Sequence, residues 1–121
     1  MATVMIVDDS AYARRVHRAI LERAGHTVIE ADTGTTAIER FSLEQPDIVL
    51  LDLSMEDIGG LDVLRTLRAL DGDARVIVVS ADVQRSTEAA VLEGGASRFL
   101  HKPANPNELV SAVADLEGPT A

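Results

Sequence analysis

The chain has 121 residues, of which 20 are acidic and 11 basic, and its formal charge is −9. A chain of this length is expected to form one domain with a core of its own. It contains no cysteine, which excludes a disulfide scaffold, a thiolate zinc site and a cysteine nucleophile. Because the chain is acidic and only 2% aromatic, we expect no nucleic-acid partner.

Signals for membrane insertion and export are also missing from the sequence. No apolar run approaches the roughly 20 residues that a membrane span needs. The apolar start meets Asp8 and Asp9 after a few residues and lacks the positively charged region of a signal peptide. We therefore predict a cytoplasmic domain that does not bind a membrane.

Short apolar runs, typical of buried strands, alternate along the chain with segments that are predicted to be helical. Buried strands are predicted for 4–7, 27–29, 48–51, 76–79 and 99–100. Four helices are predicted between them. Apolar residues have helical spacing in the first two: Tyr12, Val16, Ala19, Ile20 and Ala24; Ala37, Ile38 and Phe41. The other two helices contain the apolar sets Leu61, Val63, Leu64 and Leu67; Ala89, Ala90, Val91 and Leu92. The first of these helices is expected to end at Gly25.

A fifth helix has a clear start signal, with Asn105 as N-cap, Pro106 at the first helical position and Glu108 completing a capping pair. We expect it to end near Leu116 and 117–121 to form a flexible tail of a single domain spanning 1–121. Five strand–helix units without a linker or repeat predict an α/β fold. It would be a doubly wound parallel sheet, because five units are too few to close a barrel.

Polar residues stand at the ends of four of the five predicted strands. Asp8 and Asp9 follow the first strand, and Asp52 follows the third. Ser80 ends the fourth strand, and Lys102, the only lysine, ends the fifth. Each alone is typical of a helix cap or a solvated side chain. Together they predict one site, because ligands bind beyond the carboxyl ends of the strands in such sheets.

Three crowded carboxylates repel one another, so one must be protonated or a cation must lie among them. Oxygen ligands of this kind suit Mg²⁺, which pairs with phosphoryl groups. Lys102 and Ser80 would then supply a positive charge and a hydroxyl donor to phosphoryl oxygens. A carboxylate can also act as a nucleophile and form an aspartyl phosphate. Asp52 is the candidate acceptor, because its strand lies between those of Asp8 and Lys102.

The order Asp8-Asp9, Asp52, Ser80 and Lys102 resembles the receiver domain of two-component response regulators, the CheY-like family. The similarity runs from Val4 to about Leu116 and includes shorter matches: Asp52-Leu53-Ser54-Met55 followed by Gly60, Gly95-Ala96, and Phe99-Leu100-His101-Lys102-Pro103. It implies a flavodoxin-like sheet of order 2-1-3-4-5. It also implies that Asp52 receives a phosphoryl group from the phosphohistidine of a sensor histidine kinase or a histidine phosphotransfer protein.

The resemblance implies roles for single residues. Asp9, Asp52 and the Ser54 carbonyl would bind Mg²⁺, or Mn²⁺ as a substitute, and Asp8 would act mostly through water. Lys102 would pair with the phosphoryl group, and the peptide bond after it would be cis. The protein would be a signalling protein rather than an enzyme, apart from catalysing its own phosphoryl uptake and slow aspartyl-phosphate hydrolysis.

Family members convert phosphorylation into a surface change through two residues that match Ser80 and Phe99. The Ser80 hydroxyl would move towards the phosphoryl group, and the ring of Phe99 would turn inward. The changed surface would be that of the fourth helix, fifth strand and fifth helix, where an unidentified downstream protein would bind. By the same resemblance we expect a monomer or a weak phosphorylation-dependent dimer.

The first helix is basic against this acidic background. Arg14, Arg15 and Arg18 lie on it, and a solvated helix face is the plainer interpretation. Partners of the family commonly approach along this helix, so the three arginines are also a candidate docking surface that would raise the rate of encounter.

Four further alternatives concern the class of protein. We favour a free-standing regulator, with a receiver fragment of a multidomain regulator or hybrid kinase as the alternative. A flavin-binding module would need a phosphate-cradling loop where Asp8 and Asp9 would repel phosphate. A hydrolase with an aspartyl nucleophile usually has a second carboxylate where Ser54 stands. A receiver-like scaffold that works without phosphorylation would be indicated by loss of an acidic or lysine position, and none is lost.

Overall fold

The computed structural model describes residues 1–54, 57–82 and 84–117, in which strands and helices alternate. The strands are β1 (Thr3–Val7), β2 (Thr27–Ala31), β3 (Ile48–Asp52), β4 (Val76–Ser80) and β5 (Arg98–His101). The helices are α1 (Ala11–Arg23), α2 (Gly34–Glu44), α3 (Gly60–Leu70), α4 (Arg85–Glu93) and α5 (Pro106–Glu117). The predicted alternation is confirmed, and every predicted strand overlaps an observed one.

All strand pairs in the sheet are parallel, and the strand order is β2-β1-β3-β4-β5. This confirms the doubly wound fold with order 2-1-3-4-5. The order reverses at β1, which pairs with β2 on one side and β3 on the other. The carboxyl ends of β1 and β3 therefore border the crevice in which such sheets bind ligands.

Successive residues of each strand contribute to two separate core layers, as the twofold period of a strand requires. One layer lies under α2, α3 and α4, and the other under α1 and α5. The central strands β3 and β4 are buried at every position, which explains their continuous apolar runs.

The buried face of α1 differs from the predicted stripe. Tyr12 is 72% exposed and Val16 is 38% exposed, whereas His17 and Leu21 are buried. A shift of one residue turns a helix by about 100°, so a stripe chosen one position early faces solvent. Leu21 joins the core layer that α1 shares with α5, and this contact determines which face of α1 is turned inward.

Side-chain caps define several helix ends. The side chain of Asn105 accepts hydrogen bonds from Asn107 N at 2.8 Å and Glu108 N at 3.4 Å, in agreement with its predicted capping role. Gly25 has a φ of 96°, as expected of the residue that ends α1. Glu117 belongs to α5 and contacts the Met1 ammonium, so this residue differs from the expected tail; the rest of that tail, 118–121, lies outside the described residues.

Across the ranges that the structure describes, no helix is both long and apolar enough to cross a membrane.

Candidate functional site

Three carboxylates meet at the carboxyl edge of the sheet. One oxygen from each of Asp8, Asp9 and Asp52 lies within 4.8 Å of the others. Asp8 and Asp52 are buried, with 2% and 4% of their surface exposed, whereas Asp9 is exposed. The structure thus brings together the three acids that the strand-end pattern singled out, with the exposed one at the mouth of the pocket.

Lys102 is the cation of this pocket. Its Nζ lies 3.1 Å from Asp8 Oδ2 and 3.3 Å from Asp52 Oδ1, so one ammonium group bridges both buried acids. The Lys102 backbone N–H donates to the Ser80 carbonyl at 2.9 Å, which ties the segment after β5 to the end of β4. The following peptide bond, to Pro103, is cis, in agreement with the family resemblance.

One lysine does not compensate three carboxylates, and the pKa values reflect this. Burial raises the pKa of Asp52 above its ordinary value, and the nearby charge of Asp8 raises it further, against the opposing effects of the Ser54 N–H and Lys102. The pKa of Lys102 is raised, since its pairs with Asp8 and Asp52 outweigh the effect of burial. The pocket therefore retains excess negative charge.

The donor set fits a hard divalent cation. Mg²⁺ takes oxygen ligands, usually one or two carboxylates together with water and phosphate. Asp9 and Asp52 offer carboxylate oxygens at the mouth and in the interior of the pocket, and Asp8 lies within the same cluster. Burial next to another acid raises the pKa of Asp52, and a cation bound among these carboxylates would oppose that effect.

The turn between β1 and α1 is held from two sides. The Ser10 N–H donates to Asp8 Oδ1 at 2.9 Å, and Arg14 Nη1 donates to the Asp8 carbonyl at 2.6 Å. Arg14 Nε also lies 2.9 Å from Glu30 Oε1, on β2, and Arg18 binds the other oxygen of Glu30. Sequence reasoning missed these pairs, because they join α1 to a separate element, β2, and no local spacing signals such a contact.

These contacts divide the three candidate docking arginines. Arg14 has only 17% of its side chain exposed and is held within the molecule. Arg18 is 40% exposed and pairs with both Glu22 and Glu30. Arg15 is exposed and takes part in none of the ion pairs found among the described residues. Of the three, Arg15 is the side chain most available to a partner.

The segment after Asp52 is anchored at both ends. The Ser54 N–H donates to Asp52 Oδ1 at 3.2 Å. A Cβ on Gly60 would lie 2.5 Å from Leu53 Cα, so α3 begins directly against the backbone that follows the acceptor candidate, and only glycine fits there. Asp57, which precedes α3, accepts a hydrogen bond from Gly34 at the start of α2.

Asp57 was not singled out by sequence reasoning. Its Oδ1 accepts from the Gly34 N–H at 2.9 Å, and its Oδ2 accepts from the N–H and hydroxyl of Thr35 at 3.0 and 2.9 Å. These hydrogen bonds hold the pKa of Asp57 well below its ordinary value. The side chain thus caps a helix distant in the sequence, and no local spacing signals such a contact.

Ser80 and Phe99 lie on the neighbouring strands β4 and β5, at different positions relative to the carboxyl edge of the sheet. Ser80 is buried, and its Oγ accepts from the Asp82 N–H at 3.0 Å. Phe99 pairs with Val78 on β4, is half-buried against the core, and meets the His101 ring edge to face at 5.2 Å. Ser80 therefore belongs to the carboxyl edge, and Phe99 lies two residues before that edge on β5.

His17 is a second side chain that sequence reasoning missed at this edge. Together with Lys102 and Pro103 it lines a cavity beside the pocket. Burial lowers the pKa of His17 below 6.5, which outweighs the raising effect of Asp8. The sequence did carry a signal for the burial of His17: it lies four residues before Leu21, so the two side chains share one face of α1.

The fold and the acidic pocket define a class of protein, and the sequence comparisons agree on it. Residues 4–114 match the family model of the response regulator receiver domain. The chain therefore belongs to the response regulator receiver domains, a CheY-like family of two-component signalling.

Individual relatives place the chain within this family. It is 35% identical over 111 residues to the chemotaxis protein CheY of Thermotoga maritima, covering 91% of this chain and 92% of the relative. It is also 35% identical to the response regulator UvrY of Escherichia coli, covering 93% of this chain but 53% of that protein. A two-component response regulator of the LuxR family from Aurantimonas superimposes with a TM-score of 0.91 at 34% identity, covering 100% of this chain and 89% of that one.

Proposed function

We propose that the chain is a phosphorylation-dependent switch in which Asp52 accepts a phosphoryl group from the phosphohistidine of a sensor histidine kinase or a histidine phosphotransfer protein. One observation carries the proposal: Asp52 is buried within hydrogen-bonding range of Lys102 and lies in a cluster with Asp8 and Asp9. A nucleophilic carboxylate, a cation and two metal-binding acids are the groups that phosphoryl uptake requires.

In the proposed reaction an Asp52 carboxylate oxygen attacks phosphorus. A P–O bond forms to Asp52 while the P–N bond to the donor imidazole breaks, and the imidazole leaves with the electron pair and takes up a proton. Asp9, Asp52 and the Ser54 carbonyl would hold Mg²⁺, with Asp8 acting mostly through water. The bound ion supplies charge neutralisation on the phosphoryl oxygens.

Lys102 has two partners before phosphorylation, Asp8 and Asp52. When Asp52 carries the phosphoryl group, the ammonium of Lys102 remains within reach of the new negative charge. Ser80 is the last residue of the adjacent strand β4, and its hydroxyl would donate to a phosphoryl oxygen. We propose that the Ser80 hydroxyl moves towards the phosphoryl group and that the ring of Phe99 rotates inward. These two changes would alter the α4-β5-α5 surface, which signals to a downstream protein in the cytoplasm.

Phosphorylation of the purified protein by a small acyl phosphate tests the proposal. In the presence of Mg²⁺ we expect the intact mass to rise by one phosphoryl group, and Asp52→Asn to abolish the gain. Asp32→Asn is the matched control, because Asp32 follows β2 at the same edge of the sheet but is exposed. Absence of any gain in the wild-type protein would reject the switch and leave the phosphorylation-independent scaffold.

A further inference from the structure

We propose that Arg14 is a positioning residue for the acidic pocket, holding the turn that presents Asp8 and Asp9 to the metal. This inference rests on the proposed function, since it concerns the metal site of that switch. It assigns to Arg14 a task inside the molecule in place of contact with a partner.

The geometry of Arg14 joins three elements. Its Nη1 donates to the Asp8 carbonyl at 2.6 Å, and its Nε lies 2.9 Å from Glu30 Oε1. The Arg14 side chain therefore extends from α1, pairs with Glu30 on β2 and reaches the backbone immediately after β1. The planar guanidinium with fixed N–H directions suits such a link, because it donates in two directions at once.

The carbonyl that Arg14 binds belongs to the peptide between Asp8 and Asp9. A charged hydrogen bond to this carbonyl restricts the rotation of that peptide, and therefore the direction in which Asp9 leaves the backbone. Asp9 is the exposed acid of the cluster, and it lacks the burial that constrains Asp8 and Asp52. The exposed carboxylate of the set is thus the one that follows the peptide held by Arg14.

Glu30 keeps the guanidinium in place. Burial would raise the pKa of Glu30, but hydrogen bonds from Arg18 and Arg14 lower it below its ordinary value, so the carboxylate is ionised at neutral pH. Arg18 shares Glu30, and its further acceptors are Glu22 and the Val28 carbonyl; none of the hydrogen bonds or ion pairs of the described residues joins it to Asp8. Arg18 therefore offers a comparison that separates pairing with Glu30 from contact with the acidic turn.

The test measures Mn²⁺ binding by the loss of the free-ion electron paramagnetic resonance signal. Outer-shell partners of metal ligands are worth about 10–100-fold in metal affinity, and Arg14 acts one step further out, so we expect Arg14→Gln to weaken binding about tenfold. Arg15→Gln is the matched control on the same helix, and Arg18→Gln the control for Glu30. Both should stay within about twofold of wild type, as expected of side chains that do not touch the turn.

Thermal unfolding without metal separates positioning from stability. A purely structural role would lower the melting temperature of Arg14→Gln and leave its Mn²⁺ affinity unchanged well below that temperature. That result, or equal losses of affinity in Arg14→Gln and Arg18→Gln, would overturn the inference. If Arg14→Gln does not fold, Arg14→Lys replaces it; a single ammonium does not span both acceptors, so wild-type Mn²⁺ affinity in that variant would also overturn it.

Phosphorylation by the small acyl phosphate gives a second readout. Arg14→Gln should react slowly at low Mg²⁺ and approach the wild-type rate at saturating Mg²⁺, because only metal binding is weakened. A variant that reacts like wild type at every Mg²⁺ concentration would overturn the inference. Failure of the proposed function looks different, since the wild-type protein itself would then bind no Mn²⁺ and gain no phosphoryl group.

Discussion

Two groups of charged side chains flank the β1–α1 turn, and their charge balance is opposite. In the acidic pocket, Lys102 is shared by two buried carboxylates, Asp8 and Asp52. On β2, one carboxylate, Glu30, is shared by two arginines. The pKa of Asp52 is raised, mainly by burial, whereas that of Glu30 is lowered by its two partners.

The difference in charge balance distinguishes the acidic pocket, a candidate metal site, from the structural ion pairs of Glu30. Glu30 is already compensated, so it has no electrostatic need for a further cation. The pocket has more acid than base, so we expect it to gain stability from an added divalent ion. Arg14 links the two groups, because it binds Glu30 and the Asp8 carbonyl with different nitrogen atoms.

The largest effect is expected from removing Lys102, the one cation that pairs with the pocket acids among the residues that the structure describes. Lys102→Gln leaves two buried carboxylates without a counter-charge, and breaking such a pair costs about 3–5 kcal/mol in a fully buried site. Because Lys102 is 25% exposed, we expect a loss of about 2 kcal/mol without metal. Urea unfolding with and without Mg²⁺ measures it, and Mg²⁺ should restore more stability to this variant than it adds to wild type.

Arg15→Gln serves as its control, since that side chain is exposed and should change stability by less than about 0.5 kcal/mol. Equal stabilisation of the Lys102→Gln and wild-type proteins by Mg²⁺ would contradict the charge imbalance described for the pocket.

A smaller effect is expected from pH. In the proposed site, metal would bind the ionised form of Asp52, whose pKa is raised above 3.8, so we expect protons to compete with metal at higher pH than an ordinary aspartate would allow. Metal affinity should fall as pH decreases through this raised pKa, by up to about tenfold per pH unit. Mn²⁺ titrations at a series of pH values measure the fall, and Asp52→Asn should flatten the profile. A wild-type profile as flat as that of the variant would argue against Asp52 as a ligand.

The smallest effect is expected at the compensated pair. Glu30→Gln should destabilise the protein by about 1 kcal/mol at neutral pH, because its partners are partly exposed. The folded pKa of Glu30 is lowered, so its stabilisation is present above the ordinary value of 4.5 and is lost as pH falls through the folded value. Chemical unfolding at neutral and acidic pH measures both, and the difference between variant and wild type should shrink in acid. A difference that grows as pH falls would reverse the assigned sign.

Much of the site could be predicted because it depends on strand ends. Asp8, Asp52 and Lys102 each stand at the end of an apolar run, and parallel strands bring such ends to one edge. The contacts of Arg14 and Asp57 could not be predicted in this way. Each joins elements whose separation in space depends on helix packing, and an arginine on a basic helix has the same local pattern whether it faces solvent or Glu30.

The face of α1 illustrates the same limit. Apolar and basic residues are interspersed along α1, so the pattern alone does not select His17 and Leu21 over Tyr12 and Val16. Packing against the layer shared with α5 makes that choice.

By itself, the sequence determined the alternation of strands and helices and the placing of three acids and one lysine at strand ends, because burial has a local period that apolar residues record. Only the tertiary structure decided which acidic and basic side chains form ion pairs, and how many partners each of them has. Those contacts depend on distances between elements: Lys102 lies between two acids 94 and 50 residues earlier, and Glu30, on β2, lies between two arginines of helix α1. The charge balance that separates a metal site from a structural ion pair is a property of the packed molecule.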